Sequence, residues 1–336
     1  MIEFQREVPF WLALKTTFNK FGTEGWGAAF PDIRNPEVDA SQTFKKIDNS
    51  HFRETTITRF QGKEYCTTQV FCVDDPSWME EYPVKDGHNV AYWINMALSP
   101  SIVYDFDKIN LAHQAVGEDY LLEFWTGVPF FDFLASSMGF EKTLFYFMAE
   151  EEATLLAYRQ RYTEFQLELV RQAAAHTPFE AFTIGCSYSC SSLIGPHMWR
   201  QWDKPYIQAM AEELHRHGKR LHIHFHGNSL KTASDFAEMG IDCVCPFERP
   251  PGGDIRGLDG LRQVREKLAD QVTMNGNVHT VETLIRGLPE DVRREVREIK
   301  EAFAGSARVI IGTGDQVGKE TPEENIYAMI EEAVSE

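Results

Sequence analysis

From Asp119 to the C-terminus the chain repeats one pattern: a short apolar run, a glycine-rich or polar break, then a longer amphipathic stretch. Apolar runs of strand length occupy Asp119 to Trp125 (ending at Gly127), Ala181 to Gly185, Leu221 to His226, Asp242 to Glu248, Gln271 to Val278 and Arg308 to Gly312. Between them the helical period predicts helices over Pro129 to Met138, Glu141 to Ala149 and Glu150 to His176, the last stopped by Thr177-Pro178. Further helices are predicted from Pro196 to His217, from Leu230 to Met239 with Ser229 as cap, and over Leu258 to Ala269, Glu290 to Ala304 and Glu323 to Val334. Strands that alternate with helices over such a length build an all-parallel α/β fold, and the regularity fits a closed (β/α)8 TIM barrel. One domain spanning 1–336 is expected, with residues 1–90 as an N-terminal extension.

That extension is the least regular part. Glycines and prolines break the aromatic-rich run from Phe18 to Phe30, which reads as an ordered loop. Thr-rich and aromatic runs at Phe52 to Phe60 and Glu64 to Phe71, joined through Gly62, predict a β-hairpin, and Lys85 to Leu98 a helix. The aromatics Phe18, Phe21, Trp26 and Phe30 suit either a substrate cavity or core packing. Asp and Glu outnumber Lys and Arg 51 to 33, a net charge of −18 that disfavours nucleic acid and anionic membranes as partners. The start, Met1 to Glu7, lacks a basic region followed by an apolar run, and no stretch approaches a membrane span, so a cytoplasmic protein is expected. The six cysteines lack Cys-x-x-Cys spacing and read as reduced thiols; Cys186 and Cys190 sit in a serine-rich loop better suited to a polar pocket wall than to a metal.

The segment Leu221-His222-Ile223-His224-Phe225-His226-Gly227-Asn228 alternates strictly. Its apolar residues face one way and its histidines the other, with same-face neighbours roughly 7 Å apart, close enough for two imidazoles to converge on one ion. Gly227 then turns the chain at the carboxyl end, where barrel sites form. Other strand ends carry Glu248, the Asn275-Gly276-Asn277-Val278-His279 run and Asp315 in a Gly-flanked turn. For each the plain reading stands beside the functional one: an ion pair for Glu248, a helix cap for His279, a turn former for Asp315. Glu248 and His279 are the catalytic candidates, and Ser187, Tyr188, Asn228, Asn275 and Asn277 the substrate-binding ones.

These residues resemble the uroporphyrinogen decarboxylase superfamily, which also contains cobamide methyltransferases and related O-demethylase components. The resemblance runs from Pro83-Val84-Lys85-Asp86 to the C-terminus and is clearest in Leu221 to Asn228, Met239-Gly240-Ile241-Asp242, Asn275 to Val278 and Thr321-Pro322-Glu323-Glu324-Asn325. It implies a (β/α)8 barrel. Porphyrinogen decarboxylases open with an arginine motif for the substrate propionates, whereas Pro9 to Lys15 here holds no arginine. The methyltransferase branch places zinc on a His-x-Cys pair and a distant cysteine; His224 matches the histidine, His226 stands at the first cysteine, and Asp315 falls at or beside the second. The resemblance thus implies a Zn²⁺ site on His224, His226 and Asp315, with Fe²⁺ or Mn²⁺ better tolerated than in a thiolate site. It implies methyl transfer between a small methylated or methoxylated compound, or a thiol, and a corrinoid on a partner protein. Two alternatives stand beside it: a decarboxylase of a small aromatic or heterocyclic acid with His224 and His226 as protonated donors, and a non-catalytic binding protein on a decayed barrel.

Overall fold

The computed structural model describes residues 8–72 and 76–335; residues 1–7, where the sequence predicts no export signal, lie outside them. Helix α1 (Phe10–Phe21) leads into β1 (Trp26–Ala29), so the aromatic run expected to be a loop is the end of a helix and a strand. The glycines there serve packing more than looping: Gly22 ends α1 in left-handed backbone, and Gly25 and Gly27 admit the rings and methyls of Phe18 and Leu14. Next, β2 (Asp32–Arg34) pairs antiparallel with the later β7 (Val103–Asp105), while β3 (Asp39–Lys46), β4 (His51–Phe60), β5 (Lys63–Cys72) and β6 (Trp78–Glu81) form a four-stranded antiparallel sheet. The expected hairpin is β4–β5, turned through Gln61 and Gly62 with φ of 48° and 77°, the positive pair of a type I′ turn. Helices α2 (Val90–Ala97) and α3 (Asp107–Val116) complete the extension, with Trp93 of α2 packed edge-on against Tyr65 of β5.

The remaining strands, β8 (Leu121–Gly127), β9 (Ala181–Cys186), β10 (Arg220–Phe225), β11 (Cys243–Pro246), β12 (Thr273–Val278) and β13 (Val309–Thr313), join β1 in one parallel sheet, ordered as in the sequence. Their helices are α4 (Phe130–Met138), α5 (Phe140–Ala149), α6 (Glu152–His176), α7 (Gly195–Trp202), α8 (Lys204–Arg216), α9 (Ala233–Glu238), α10 (Gly257–Leu268), α11 (Pro289–Ala302) and α12 (Glu323–Val334). The fold is the TIM-barrel type expected, with seven strands in its sheet among the described residues. Its curl is visible in side chains: Trp26 of β1 meets His222 of β10 at 4.7 Å between ring centroids. Across the sheet's ends α1 reaches α12 through the Lys20–Glu323 ion pair and the Phe21–Tyr327 ring contact at 5.4 Å.

Two helix boundaries differ from expectation. The stretch from Pro196 to His217 is two helices, because Pro205 donates no backbone hydrogen bond and the buried Asp203 at the break turns its carboxylate to Phe131 N and Ser189 Oγ. Ser229 caps no helix; Asp254 takes the N–H groups of Ser229 and Leu230, and α9 begins only at Ala233. No described helix is long and apolar enough to cross a membrane.

On β10 the alternation does what its period requires. Leu221, Ile223 and Phe225 are fully buried against the helices, Phe225 lying edge-on to Trp199 at 5.5 Å and to Phe236 at 5.2 Å. Each such side chain contributes about 2 to 3 kcal/mol by burial. On the other face His222 Nδ1 lies 2.9 Å from Glu123 Oε2 of β8, both residues being inaccessible to solvent. Close approach of β12 to β11 depends on Gly276: its φ is +142°, and a Cβ there would fall 2.3 Å from the Pro246 carbonyl oxygen. Gly276→Ala is therefore expected to cost about 3 kcal/mol or more, from backbone strain and overpacking together. Urea unfolding checks this; a loss below about 1 kcal/mol would show that β11 and β12 yield at this point.

Candidate metal centre

Three side chains converge at the carboxyl end of the sheet. His224 sits near the end of β10, His226 directly follows it, and Asp315 follows β13, three strands away. One ligand atom of each lies within 4.8 Å of the other two, and the two imidazole centroids are 4.3 Å apart. Tetrahedral ligands at about 2.1 Å from an ion stand about 3.4 Å from one another, so closing this group on a metal requires movements of under about 1 Å per side chain. Asp315 is also a turn former: its Oδ1 accepts from Gln316 N at 2.7 Å, and Thr313 Oγ1 donates to its carbonyl at 2.6 Å. The turn holds the carboxylate in place.

Each histidine has one nitrogen occupied by a neighbour. His226 Nδ1 donates to Glu248 Oε1 at 3.3 Å, and the other Glu248 oxygen accepts from Gly227 N. His224 Nδ1 lies 3.1 Å from Cys245 Sγ, its register partner on β11. With both Nδ1 atoms engaged, Nε2 is the nitrogen each ring has left for an ion, the usual consequence of such outer contacts. Burial pushes His224 down to about 3, with His226 and His222 adding repulsion, so its ring is neutral at neutral pH. For His226 burial works in the same direction, but the Glu248 hydrogen bond and the charges of Asp315 and Glu248 outweigh it and raise its pKa. Glu248, which burial alone would raise, is held below the usual carboxylate range by His226 and the Gly227 N–H.

The wall beside this group is the loop after β9. Asp132 of α4 is buried, and its Oδ2 accepts from Tyr188 N and Ser189 N, each at 2.9 Å. Asp203 accepts from Phe131 N at 2.9 Å and from the buried Ser189 Oγ at 2.5 Å. Ser187 is exposed at this loop, and the Tyr188 ring stacks on Phe140 at 5.9 Å. Asn228 is exposed beside the same loop, its N–H bonded to Ser192 Oγ. Asn275 and Asn277 are buried within β12, where Asn277 Nδ2 donates to the Phe247 carbonyl at 2.8 Å. His279 stands apart from the metal candidates: its Nδ1 accepts from Val281 N and Glu282 N, both at 3.1 Å, which makes it a helix cap.

Sequence reasoning missed Cys245, Asp132 and Asp203. The first was legible in principle, as the thiol alternating with Val244 on the strand after the histidines; Asp132 was a lone acid inside the apolar Phe130 to Leu134 run. Of the four N-terminal aromatics, Phe18 packs on Tyr120, Phe21 on Tyr327 and Trp26 on His222, whereas Phe30 remains 58% exposed beside Trp125.

Burial raises Asp132 to about 6 and Asp203 to about 7, the hydrogen bonds they accept pulling back only in part. Both groups hold protons in the folded state that the unfolded chain, near 4, has already released. The folded state is thus favoured while these acids stay protonated, and their contribution declines as pH rises from about 4 to about 7. Asp203→Asn keeps an acceptor for Phe131 N and removes one titration. Its cost in stability is expected to be smaller at pH 7 than at pH 5, measured by urea unfolding of metal-stripped protein; an equal cost at both pH values contradicts this account.

Comparison with known proteins matches residues 99–335 to the uroporphyrinogen decarboxylase (URO-D) family. Uroporphyrinogen decarboxylases from strains of Coxiella burnetii are 24% identical over 262 residues, covering 74% of this chain and 67% of theirs. Among solved structures, a methyltransferase from Methanosarcina mazei superposes with a TM-score of 0.57 at 18% identity, covering 78% of this chain and 73% of that one. At that identity the likeness is one of fold.

Proposed function

The chain belongs to the uroporphyrinogen decarboxylase family, and on that premise we propose a metal-dependent transferase that moves a methyl group between a small substrate and a corrinoid carried by a partner protein. The small substrate is a methylated or methoxylated compound, or a thiol. The observation that carries the reading is the convergence of His224, His226 and Asp315 from two separated strands. Two imidazoles and a carboxylate suit Zn²⁺, and accept other divalent transition metals more readily than a thiolate set does. An ion held by these residues would supply Lewis acidity to a substrate oxygen or sulfur that leaves, or attacks, a methyl group.

The chain's own residues do the rest. Glu248 holds the Nδ1 proton of His226 and so fixes that ring's orientation; with its second oxygen on Gly227 N, it acts on His226 before it acts on substrate. Cys245 Sγ, 3.1 Å from His224 Nδ1, packs against the other ring from β11. Burial keeps His224 unprotonated, which supports a ligand over the protonated donor that decarboxylation would ask of it. Asp315 brings the negative charge that offsets a dication, and Ser187, Tyr188 and Asn228 on the rim are the proposed substrate contacts.

The relatives' own activity supports decarboxylation as the second reading. Against uroporphyrinogen itself stands the absence of arginine from Pro9 to Lys15, where α1 begins. No CO₂ release from uroporphyrinogen is expected in an anaerobic assay; measurable release would return the chain to that activity.

Elemental analysis of purified protein is expected to find about one equivalent of a transition metal. His224→Ala and His226→Ala should each lose it while unfolding remains cooperative. Asp315→Asn preserves the turn but removes an anionic ligand, and should weaken metal affinity tenfold or more; Asp315→Cys should retain metal and shift preference toward zinc. Metal binding undisturbed by Asp315→Asn would remove the three-ligand site, and metal-free protein after growth in supplemented medium would remove the metal-dependent reading altogether.

A further inference from the structure

The space beside His224 and His226 has a wall that the metal candidates do not use. On β8 Glu123 turns inward to His222, so by alternation Trp125 turns inward as well. Its indole leans toward the carboxyl end of the sheet: a Cβ on Gly185 of β9 would fall 2.4 Å from the Trp125 ring, and Gly185 is the register partner of His224. The glycine thus makes room for the ring, which lies one strand spacing, about 4.8 Å, from the His224 backbone. Phe30, directly after β1, stands 5.3 Å from Trp125 between ring centroids and is 58% exposed, and Trp26 lies deeper, 6.5 Å from the His224 ring. Three carboxylates act on the same space through His226: Asp315, Glu248 and Asp132. Arg249, next to Glu248 in sequence, is withdrawn from it, its buried guanidinium donating to Glu298 at 2.7 Å and to the Asn277 carbonyl at 3.2 Å.

We propose that the substrate of this site is a cation: a thiol or ether whose sulfur or oxygen reaches the metal centre while an ammonium head, a short chain away, rests against Trp125 and Phe30. A carboxylate or sulfonate tail in this place would meet carboxylates, whereas an ammonium head meets aromatic rings and carboxylates together, the surroundings in which such cations are bound. Asp315 and Glu248 carry the charge that offsets a dication, so the metal and the ammonium head are accommodated side by side. The net charge of −18 draws cations toward the chain as a whole. This inference rests on the metal-dependent reading above and narrows it, by making Trp125 the residue that selects the substrate's charge.

Cobalt(II)-loaded full-length protein tests this when titrated with three thiols that differ in their tails: thiocholine, its uncharged all-carbon isostere dimethylbutanethiol, and mercaptoethanesulfonate. Each thiol gives its proton to the buffer as its sulfur binds cobalt, and the sulfur-to-cobalt charge-transfer absorption reports occupancy. Thiocholine is expected to bind about fivefold or more tighter than the isostere, and mercaptoethanesulfonate weakest. Trp125→Leu should lower the thiocholine-to-isostere affinity ratio about fivefold, whereas Trp125→Phe, which keeps an aromatic ring, should retain most of it. The intrinsic acidity of each thiol cancels between variants, so a change in the ratio reads the wall alone. Phe30→Ala, at an exposed position where folding is not at stake, should lower the ratio in the same direction. A ratio that Trp125→Leu and Phe30→Ala both leave unchanged, or weaker binding of thiocholine than of either other thiol, overturns the proposal. Protein that takes up no cobalt, seen as missing visible absorption, removes the metal-dependent reading and this proposal with it; cobalt-loaded protein without a charge preference removes this proposal alone.

Discussion

Every imidazole on the inner face of β10 has to be given a partner in a space largely closed to water, and most of the site follows from how that requirement is met. An unpaired buried ring nitrogen carries the desolvation cost of a lost hydrogen bond, of order 1 to 3 kcal/mol. Each of the three histidines has its Nδ1 engaged by a group from another part of the wall: Glu123 for His222, Cys245 for His224, and Glu248 for His226, while the buried Nε2 of His222 has no hydrogen-bond partner among the described residues. The deepest pair is a buried carboxylate with an imidazole whose pKa is raised well above its ordinary value; burial opposes that charge, and the neighbouring Cys243, Glu123 and Cys245 overcome it. The middle ring meets a thiol and stays neutral. The outermost meets a carboxylate at the rim. From His222 to His226 the wall passes from a buried ion pair to the half-buried candidate metal centre.

The same economy of partners shapes the adjoining wall. Two acids, Asp132 and Asp203, are held inside the protein to accept hydrogen bonds from the loop after β9 and from the start of α4. Their burial makes the charged forms unfavourable, so the loop is fixed by groups that remain partly protonated near neutrality. Asp203 stands at the break between α7 and α8, where Pro205 brings no N–H to the helix ladder. The rim that carries Ser187, Tyr188 and Asn228 is therefore anchored from beneath by side chains that do not reach the metal candidates themselves.

Local periodicity made the barrel legible. The alternation on β10 placed Leu221, Ile223 and Phe225 against helices and turned the histidines inward, because a period of two leaves a strand with one apolar face no other option. Strand ends marked by Gly227, Gly276 and Gly314 pointed to where a site forms, and Asp315 could be placed beside His224 and His226 because parallel strands of a curled sheet bring their carboxyl ends together. What local patterns did not decide was the use of any one polar group. Whether His279 caps a helix or faces substrate depends on which backbone N–H groups lie within 3.1 Å of it, and whether Asp203 interrupts a helix depends on Phe131 and Ser189, far away in sequence.

The sequence by itself determined the fold class, the inward histidine face and the strand ends at which chemistry is placed, since all three follow from residue type and spacing along one segment. Only the tertiary structure decided that α1 and β1 replace a loop, that Cys245 stands against His224, and that Glu248 grips His226 and Gly227. The reason is physical. Period and propensity are properties of neighbours along the chain, whereas a hydrogen bond between β10 and β11 is set by strand register, and register is fixed only when the whole sheet closes around its core.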